Sequence, residues 1–240
     1  MTGLYDIHTH IIPGIDDGSF NMEETMKMLQ MEYKDGVRTI FATSHYRRGM
    51  FEPALADYQA RLSEVQQRAA EIYEDLRILP GCEFHANMDM VEMLMSGKRP
   101  TLGGSRCVLT EFAGPSERSF IKERCYALKS HGFQPVIAHA ERYEAFRKHM
   151  DFLEEMVDMG IYIQLNAESI IGEDGFGMKQ FCKKVIRNEL VHFVGSDAHG
   201  SKHRRPRMGA CAAYLTRLIG REGCEELLIE NPRTLILGEE

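Results

Sequence analysis

His8 and His10 stand two residues apart at the end of a short apolar-leaning stretch, Leu4-Tyr5-Asp6-Ile7-His8-Thr9-His10. Strand side chains alternate faces with period two, so both imidazoles point the same way and are placed to share a metal ion. His45, Glu83, Glu111, His139, Asp197 and His199 follow later apolar runs in the same manner, and Asp16 and Asp17 compete for a place after the first. Five imidazoles and four carboxylates exceed what one or two ions need and leave room for three. Nitrogen and oxygen donors without thiolate suit manganese, iron or zinc. Buried carboxylates crowded together are strongly unfavourable unless cations neutralise them. Three divalent ions would take the formal charge from −7 to −1 and leave an electropositive pocket that attracts anions. Such ions bring a bound water to a pKa near ~7 and clamp the attacking and leaving oxygens of a phosphate. Arg142 stands three residues beyond His139, and Arg204 and Arg205 stand five and six beyond His199. A guanidinium can hold phosphate oxygens bidentately, which an ammonium cannot.

These positions span most of the chain, so the fold must gather them. Apolar runs alternate with helical patterns, the signature of a mainly parallel sheet with crossover helices. Strands are expected at 4–10, 37–44, about 77–82, about 106–110, 135–138, 162–165 and 191–196. They finish in His8 and His10, His45, Glu83, Glu111, His139, Asn166, and Asp197 with His199. In a (β/α) barrel the active site is built from the C-terminal ends of the strands, and this pattern predicts such a site. Asn21 with Glu24 predicts a helix cap and its return partner. The following helix would bury Met22, Met26, Leu29 and Tyr33, and Asp35-Gly36 would stop it. A longer helix would bury Tyr58, Leu62, Val65, Ala69 and Ile72. The methionines at 88–95 read as core filler, a further helix is expected near 116–130, and Asn231-Pro232 reads as the capped start of a closing helix.

The 240 residues suffice for one domain, 1–240, and contain no repeat, low-complexity stretch or linker. The acidic balance argues against bulk attraction to nucleic acid or anionic lipid. No apolar run is long enough to span a bilayer, and the first residues lack the layout of a signal peptide. A cytoplasmic protein without membrane insertion is expected, its oligomeric state left open. Six cysteines without paired short spacing read as reduced core residues.

The segments Asp6-Ile7-His8-Thr9-His10, Thr43-Ser44-His45, Gly81-Cys82-Glu83, Ala138-His139-Ala140-Glu141-Arg142-Tyr143 and Gly195-Ser196-Asp197-Ala198-His199 resemble the metal motifs of the PHP (polymerase and histidinol phosphatase) superfamily. Ile15-Asp16-Asp17-Gly18 and the stretch from Ser44 to Glu52 narrow the resemblance to its bacterial CpsB/CapC-like tyrosine-phosphatase branch, over nearly the whole chain. The resemblance implies a distorted seven-stranded (β/α) TIM-like barrel holding three metals, manganese foremost. It implies one ion with His8, His10, Glu83 and Asp197, a second with Glu83, Glu111 and His139, and a third with Asp17, His45 and His199. Arg142 and Arg204 would be the phosphate and transition-state arginines, with Arg205 competing for the second place. Tyr46 stands where close relatives often carry a basic residue. The implied reaction is direct attack of a metal-bridging hydroxide on protein phosphotyrosine, without a phosphoenzyme and without a Cys-x5-Arg loop. The implied partner is a bacterial tyrosine autokinase with a tyrosine-rich tail, governing capsule or exopolysaccharide export.

Other polar residues have plainer readings. His192 reads as a core residue and His85 as a support for the site. His203 sits on the loop bearing Arg204 and could help protonate a leaving group; His131 and His149 read as surface or helix-end residues. Asp6 could orient His8, and Asn166 reads as a hydrogen-bonding rather than ligating residue. Arg47 and Arg48 read as a docking surface for an acidic peptide or as a solvated loop. Two rival functions share the motifs: histidinol-phosphate phosphatase or another small-molecule phosphoesterase, and a non-catalytic metal-binding module.

Overall fold

The structure is a computed structural model that describes residues 1–239. Its strands are β1 (Leu4–Thr9), β2 (Val37–Ala42), β3 (His45–Tyr46), β4 (Arg77–Pro80), β5 (Glu83–His85), β6 (Cys107–Glu111), β7 (Gln134–Ile137), β8 (Tyr162–Asn166) and β9 (Phe193–Gly195). Helices α1 (Met22–Asp35), α2 (Leu55–Ala70), α3 (Met90–Met95), α4 (Arg118–Ser130), α5 (Glu144–Arg147), α6 (Met150–Asp158), α7 (Ala167–Ile171), α8 (Phe176–Arg187) and α9 (Met208–Glu225) connect or follow them. All strand pairs are parallel, in two sheets ordered β1-β2-β4 and β3-β5-β6-β7-β8-β9. The chain is thus a mixed α/β domain with a curled parallel sheet, a half-barrel.

The seven expected strand runs are all present, but two of them are each divided. Thr43-Ser44 separates β2 from β3, and Gly81-Cys82 separates β4 from β5. At these breaks Thr43 N donates to Thr9 O at 2.9 Å and Glu83 N to Ser44 O at 3.2 Å, so the backbone stays satisfied while the strand turns. A Cβ on Gly81 would lie 2.8 Å from Thr43 Cγ2, which explains a glycine there. The outer strands also approach each other. Thr9 and Ala198 form a parallel bridge, and Asp197 N donates to His8 O at 2.7 Å. One extra residue between Asp6 and Thr9 shifts the β1 register against β2, a bulge of the kind that re-aims side chains. Asp6 Oδ1 accepts from His8 N at 3.2 Å within that bulge and from Ser196 N at 2.9 Å.

Strand alternation divides the apolar side chains. Tyr5, Ile7, Phe41, Leu109, Val136 and Phe193 pack in one cluster with Leu102 and Ile236. A larger cluster joins the strands to the helices. Burying such a side chain contributes roughly 1.5–3 kcal/mol. All six cysteines are buried and free, as expected. Among the described residues no helix is long and apolar enough to cross a membrane.

The helices correct several expectations. Asn21 caps α1 by accepting from Glu24 N at 2.9 Å, but the Glu24 carboxylate accepts from Ser201 N instead of returning to the cap. The buried face of α1 is Thr25, Met28, Leu29 and Glu32, with Met22, Met26 and Tyr33 only partly covered. Glu32 is drawn inward against Asp6, and burial holds its carboxyl well above the usual range. Helix α2 buries Tyr58, Leu62, Val65 and Ala69 as expected. Ile72 lies past its end and is 61% exposed. Met90 is core filler, but Met88 and Met95 are exposed. Asn231 does not cap: it has helical φ and ψ in a continuous helical run, and its Nδ2 donates to His192 O at 3.0 Å.

A Cβ on Gly195 would sit 2.5 Å from His8 Cβ. Gly195→Ala should therefore cost about 1–3 kcal/mol, seen as a lower denaturant midpoint; an unchanged midpoint would contradict the close approach of β9 to β1. His192 packs on Tyr162, its Nδ1 accepts from Ile163 N, and burial lowers its pKa to about 4. Its contribution to stability is complete above the unfolded value of ~6.5 and declines as pH falls toward 4. His192→Gln should flatten that part of the stability profile; parallel profiles for the two proteins would exclude it.

Candidate metal centre

Gln164 on β8 and Asp16 in the loop after β1 orient the first pair of imidazoles. Gln164 Oε1 accepts from His139 N at 2.8 Å, and its Nε2 donates to Asn166 Oδ1 at 2.8 Å. With the amide so oriented, His8 Nδ1 at 3.1 Å from Oε1 must be the donor. His10 Nδ1 donates to Asp16 Oδ2 at 2.9 Å, and the same carboxylate accepts from His45 N and Gly18 N. The Nε2 lone pairs of His8 and His10 are then left facing each other at 3.3 Å. Glu83 Oε2 lies 3.1 and 3.2 Å from them, and Asp197 Oδ1 lies 3.4 Å from both. Neither carboxylate oxygen has a hydrogen-bond partner, since these close approaches lack hydrogen-bond geometry, and all four residues are buried. Four buried acceptors aimed at one point repel unless a cation lies among them. The donor set fits a divalent ion.

Without an ion, protons answer the same crowding. Burial alone would lower the pKa of His8 and His10, but the charges of Glu83 and Asp197 on His8, and of Asp16 on His10, outweigh it and raise both. Burial would raise Glu83 and Asp197, yet the facing imidazoles, with Arg142 and Arg204 beside Asp197, hold both well below the carboxylate range.

His10, Asp17, His45 and His199 form a second group of converging ligand atoms. Asp17 Oδ1 is 3.5 Å from both His45 Nε2 and His199 Nε2. His199 Nδ1 donates to Asp197 O at 2.9 Å, leaving a buried Nε2 without partner, and burial lowers its pKa to about 4. It therefore presents a neutral imidazole, the form that ligates. His45, Glu83 and Glu111 form a third group, with His45 Nδ1 3.0 Å from Glu83 Oε2. His139 Nε2 stands 2.8 Å from Glu83 Oε1 and 3.9 Å from Glu111 Oε1. All nine expected ligand residues are thus gathered. The grouping differs in detail from the expected one: His10 also faces the Asp17 group, and His45 also faces Glu83 and Glu111.

Arg142 Nη1, Arg204 Nη2 and Asn166 Nδ2 all donate to Asp197 Oδ2, at 2.8, 2.9 and 2.8 Å. That oxygen is saturated while Oδ1 is not. His139, Asp197 and Arg204 have positive φ, as does Glu189 outside the site. Such backbone costs of order 1–3 kcal/mol per residue and persists only where its surroundings hold it. Arg47, Arg142 and Arg204 line a cleft of about 220 Å³ with the ligand residues. Arg205 and His203 are exposed, and Arg48 is exposed and paired with Asp89, so these are not brought to the cleft.

Three supports escaped the sequence reading as such. Gln164 looks like any polar residue of a strand, although its spacing of two from Asn166 places both on one face. Tyr143 Oη accepts from Phe112 N at 3.0 Å and lies 3.2 Å from His139 Nδ1. Asp16, weighed only as a ligand, orients His10. His85, expected as a support, has its Nδ1 3.0 Å from Glu111 Oε2. The Cys-x5-Arg spacing occurs once in the chain, at Cys211 and Arg217. Both lie within α9, where Cys211 is buried, burial raises its thiol pKa, and Arg217 is exposed, so they form no phosphate loop. Gln164→Leu removes the acceptor that orients His8. It should weaken metal binding about 10–100-fold in chelator competition, and unchanged affinity would show that the imidazole needs no such support.

The chain matches the family model "Capsular polysaccharide synthesis, CpsB/CapC" over residues 4–237. It is 36% identical over 241 residues to the tyrosine-protein phosphatase CpsB of Streptococcus pneumoniae, covering 98% of this chain and 99% of that one. A solved structure from work on YwqE of Bacillus subtilis and CpsB of S. pneumoniae, described as unique metal-dependent tyrosine phosphatases, superposes with a TM-score of 0.92 at 28% identity, over 99% of this chain and 96% of the other. Histidinol phosphate phosphatase of Lactococcus lactis, solved with zinc, L-histidinol and phosphate, shares the fold with a TM-score of 0.62 at 17% identity, over 95% of this chain and 96% of the other. With the ligand residues gathered and the match running through nearly every strand and helix, the chain belongs to the CpsB/CapC family of capsular polysaccharide synthesis proteins.

Proposed function

We propose that this protein is a metal-dependent phosphomonoesterase that removes phosphate from phosphotyrosine in protein. The observation that carries the reading is the convergence of His8, His10, Glu83 and Asp197 on one buried point beside Arg142 and Arg204. The relatives are tyrosine-protein phosphatases, and the superposing structure is described as metal-dependent. The family's capsule role supports a tyrosine autokinase tail as substrate and the cytoplasm as the site of action. We read 1–240 as one domain whose seven strand runs form a distorted barrel, supported by the bridge between Thr9 and Ala198.

Three divalent ions, manganese foremost and iron or zinc also suited, would be held by His8, His10, Asp17, His45, Glu83, Glu111, His139, Asp197 and His199. When bound they supply Lewis acidity and an activated water for attack on phosphorus. The protein does the rest. Gln164, Asp16 and Tyr143 keep the imidazoles oriented. Arg142 and Arg204 offer guanidinium donors to phosphate oxygens and to the charge that grows in the transition state. The phenol of tyrosine, with a pKa near ~10, leaves with less protonic help than an alcohol. A cysteine nucleophile has no support: Cys82, nearest the ligands in sequence, is buried with its thiol pushed up to about 12.

His139→Ala should remove most activity, at least about 100-fold, with little loss of fold. Arg142→Ala should lower turnover while metal content stays unchanged. The measurements are phosphotyrosyl-peptide hydrolysis beside metal analysis, with and without added manganese. Loss of bound metal in Arg142→Ala would contradict its assigned role, and exclusive use of histidinol phosphate would overturn the proposed substrate.

A further inference from the structure

The cleft that holds the ligand atoms contains two residues with no part in binding ions or phosphate. Of its eleven lining residues nine are acidic, basic or histidine, and the remaining two are Met50 and Phe51. Isolated apolar side chains on a protein surface need no explanation, but these two stand in the mouth of a charged cleft. Phe51 is partly buried and stacks on His45 with an interplanar angle of 9° and ring centroids 5.5 Å apart. Met50 is 59% exposed.

Both belong to a turn that is held in shape. Arg47 N donates to Phe51 O and Phe51 N to Arg47 O, each at 2.8 Å, and Met50 N donates to Arg47 O at 3.0 Å. Gly49, with φ +78, donates its N–H to Glu52 Oε1 at 2.7 Å. Arg48 pairs with Asp89 on the loop before α3. A pre-shaped turn loses little freedom when something packs on it. The cleft, at about 220 Å³, falls below the ~300–1,000 Å³ of pockets that enclose whole drug-sized ligands. It is suited to one phosphorylated side chain entering from solvent.

We propose that the Arg47–Phe51 turn is the aryl subsite of this cleft, with Phe51 and Met50 forming the wall on which the ring of a phosphotyrosine packs. The proposal rests on the phosphatase reading above and adds a source for its selectivity. The ions and arginines recognise phosphate whatever carries it. A phenyl group gains offset or edge-on contact with the Phe51 ring and contact with the Met50 sulfur, whereas an alkyl phosphate gains neither.

Binding of non-hydrolysable probes separates this from the phosphatase reading. Benzylphosphonate and methylphosphonate share the anion and differ in the ring. Metal-loaded wild-type protein should bind benzylphosphonate at least tenfold more tightly. In Phe51→Ala that advantage should fall below threefold while methylphosphonate affinity changes less than twofold. Phe51→Leu, which keeps apolar bulk without the flat ring, should fall between the two and covers the case in which Phe51→Ala does not fold. Met50→Ala should lose part of the advantage. An undiminished advantage in Phe51→Ala or Phe51→Leu would overturn the proposal. So would equal weakening of both phosphonates, because Phe51 would then act through His45. Hydrolysis of a phosphotyrosyl peptide by the wild type is scored separately: no hydrolysis with a ring advantage intact would defeat the phosphatase reading and leave the aryl subsite standing.

Discussion

Four buried ligand atoms that converge on one point organise this protein. His8 Nε2, His10 Nε2, Glu83 Oε2 and Asp197 Oδ1 lie 3.1–3.4 Å apart across the histidine–carboxylate contacts. Such a set is unfavourable in a protein interior unless positive charge is placed within it. The neighbouring structure keeps the atoms there nonetheless. Gln164 and Asp16 occupy the outer nitrogens of both imidazoles, and three donors saturate the far oxygen of Asp197. Each support leaves one lone pair free and pointed inward. The fold thereby prepares the binding of cations before any arrive.

The same constraint accounts for irregularities elsewhere. The bulge in β1, the divided second and third strand runs, and the left-handed backbone at His139 and Asp197 all occur where a ligand-bearing segment leaves its ladder. Regular strands would send alternate side chains to opposite faces and keep them at fixed spacing. Bringing ligands from six strand ends to within hydrogen-bonding range of one another requires departures from that regularity. The glycines at 81 and 195 give the space for it, since a side chain at either would overlap Thr43 or His8.

Recognition is divided in the cleft between charge and shape. In the proposed reading the ligand residues and arginines respond to phosphate, a small anion carried by many molecules. The family has tyrosine phosphatases among its members, and a fold-sharing neighbour acts on histidinol phosphate. A common fold can therefore serve unlike leaving groups when the loops beyond the strands differ. In this chain the loop after β3 is a closed turn carrying the cleft's two apolar side chains.

Much of this was legible in the sequence. The apolar runs and the residues that end them pointed to eight of the nine ligand candidates, because strand periodicity and side-chain chemistry are local properties; Asp17 was separated from Asp16 only by the family resemblance. The cap at Asn21, the stop at Gly36 and the reduced cysteines were legible for the same reason. Gln164, Tyr143 and the orienting role of Asp16 were not, because a support is defined by its partner and these partners come from distant elements. The burial of Glu32 was not legible either: it lies against Asp6, twenty-six positions away and on another element. The exclusion of Arg205 and the choice of Arg204 likewise required the path of the loop, since adjacent residues of the same type differ only in where the backbone points them. The sequence alone determined which chemical groups the strands would deliver. Only the tertiary structure decided which of their lone pairs would be left unpaired, because that depends on hydrogen bonds between segments the chain brings together only when folded.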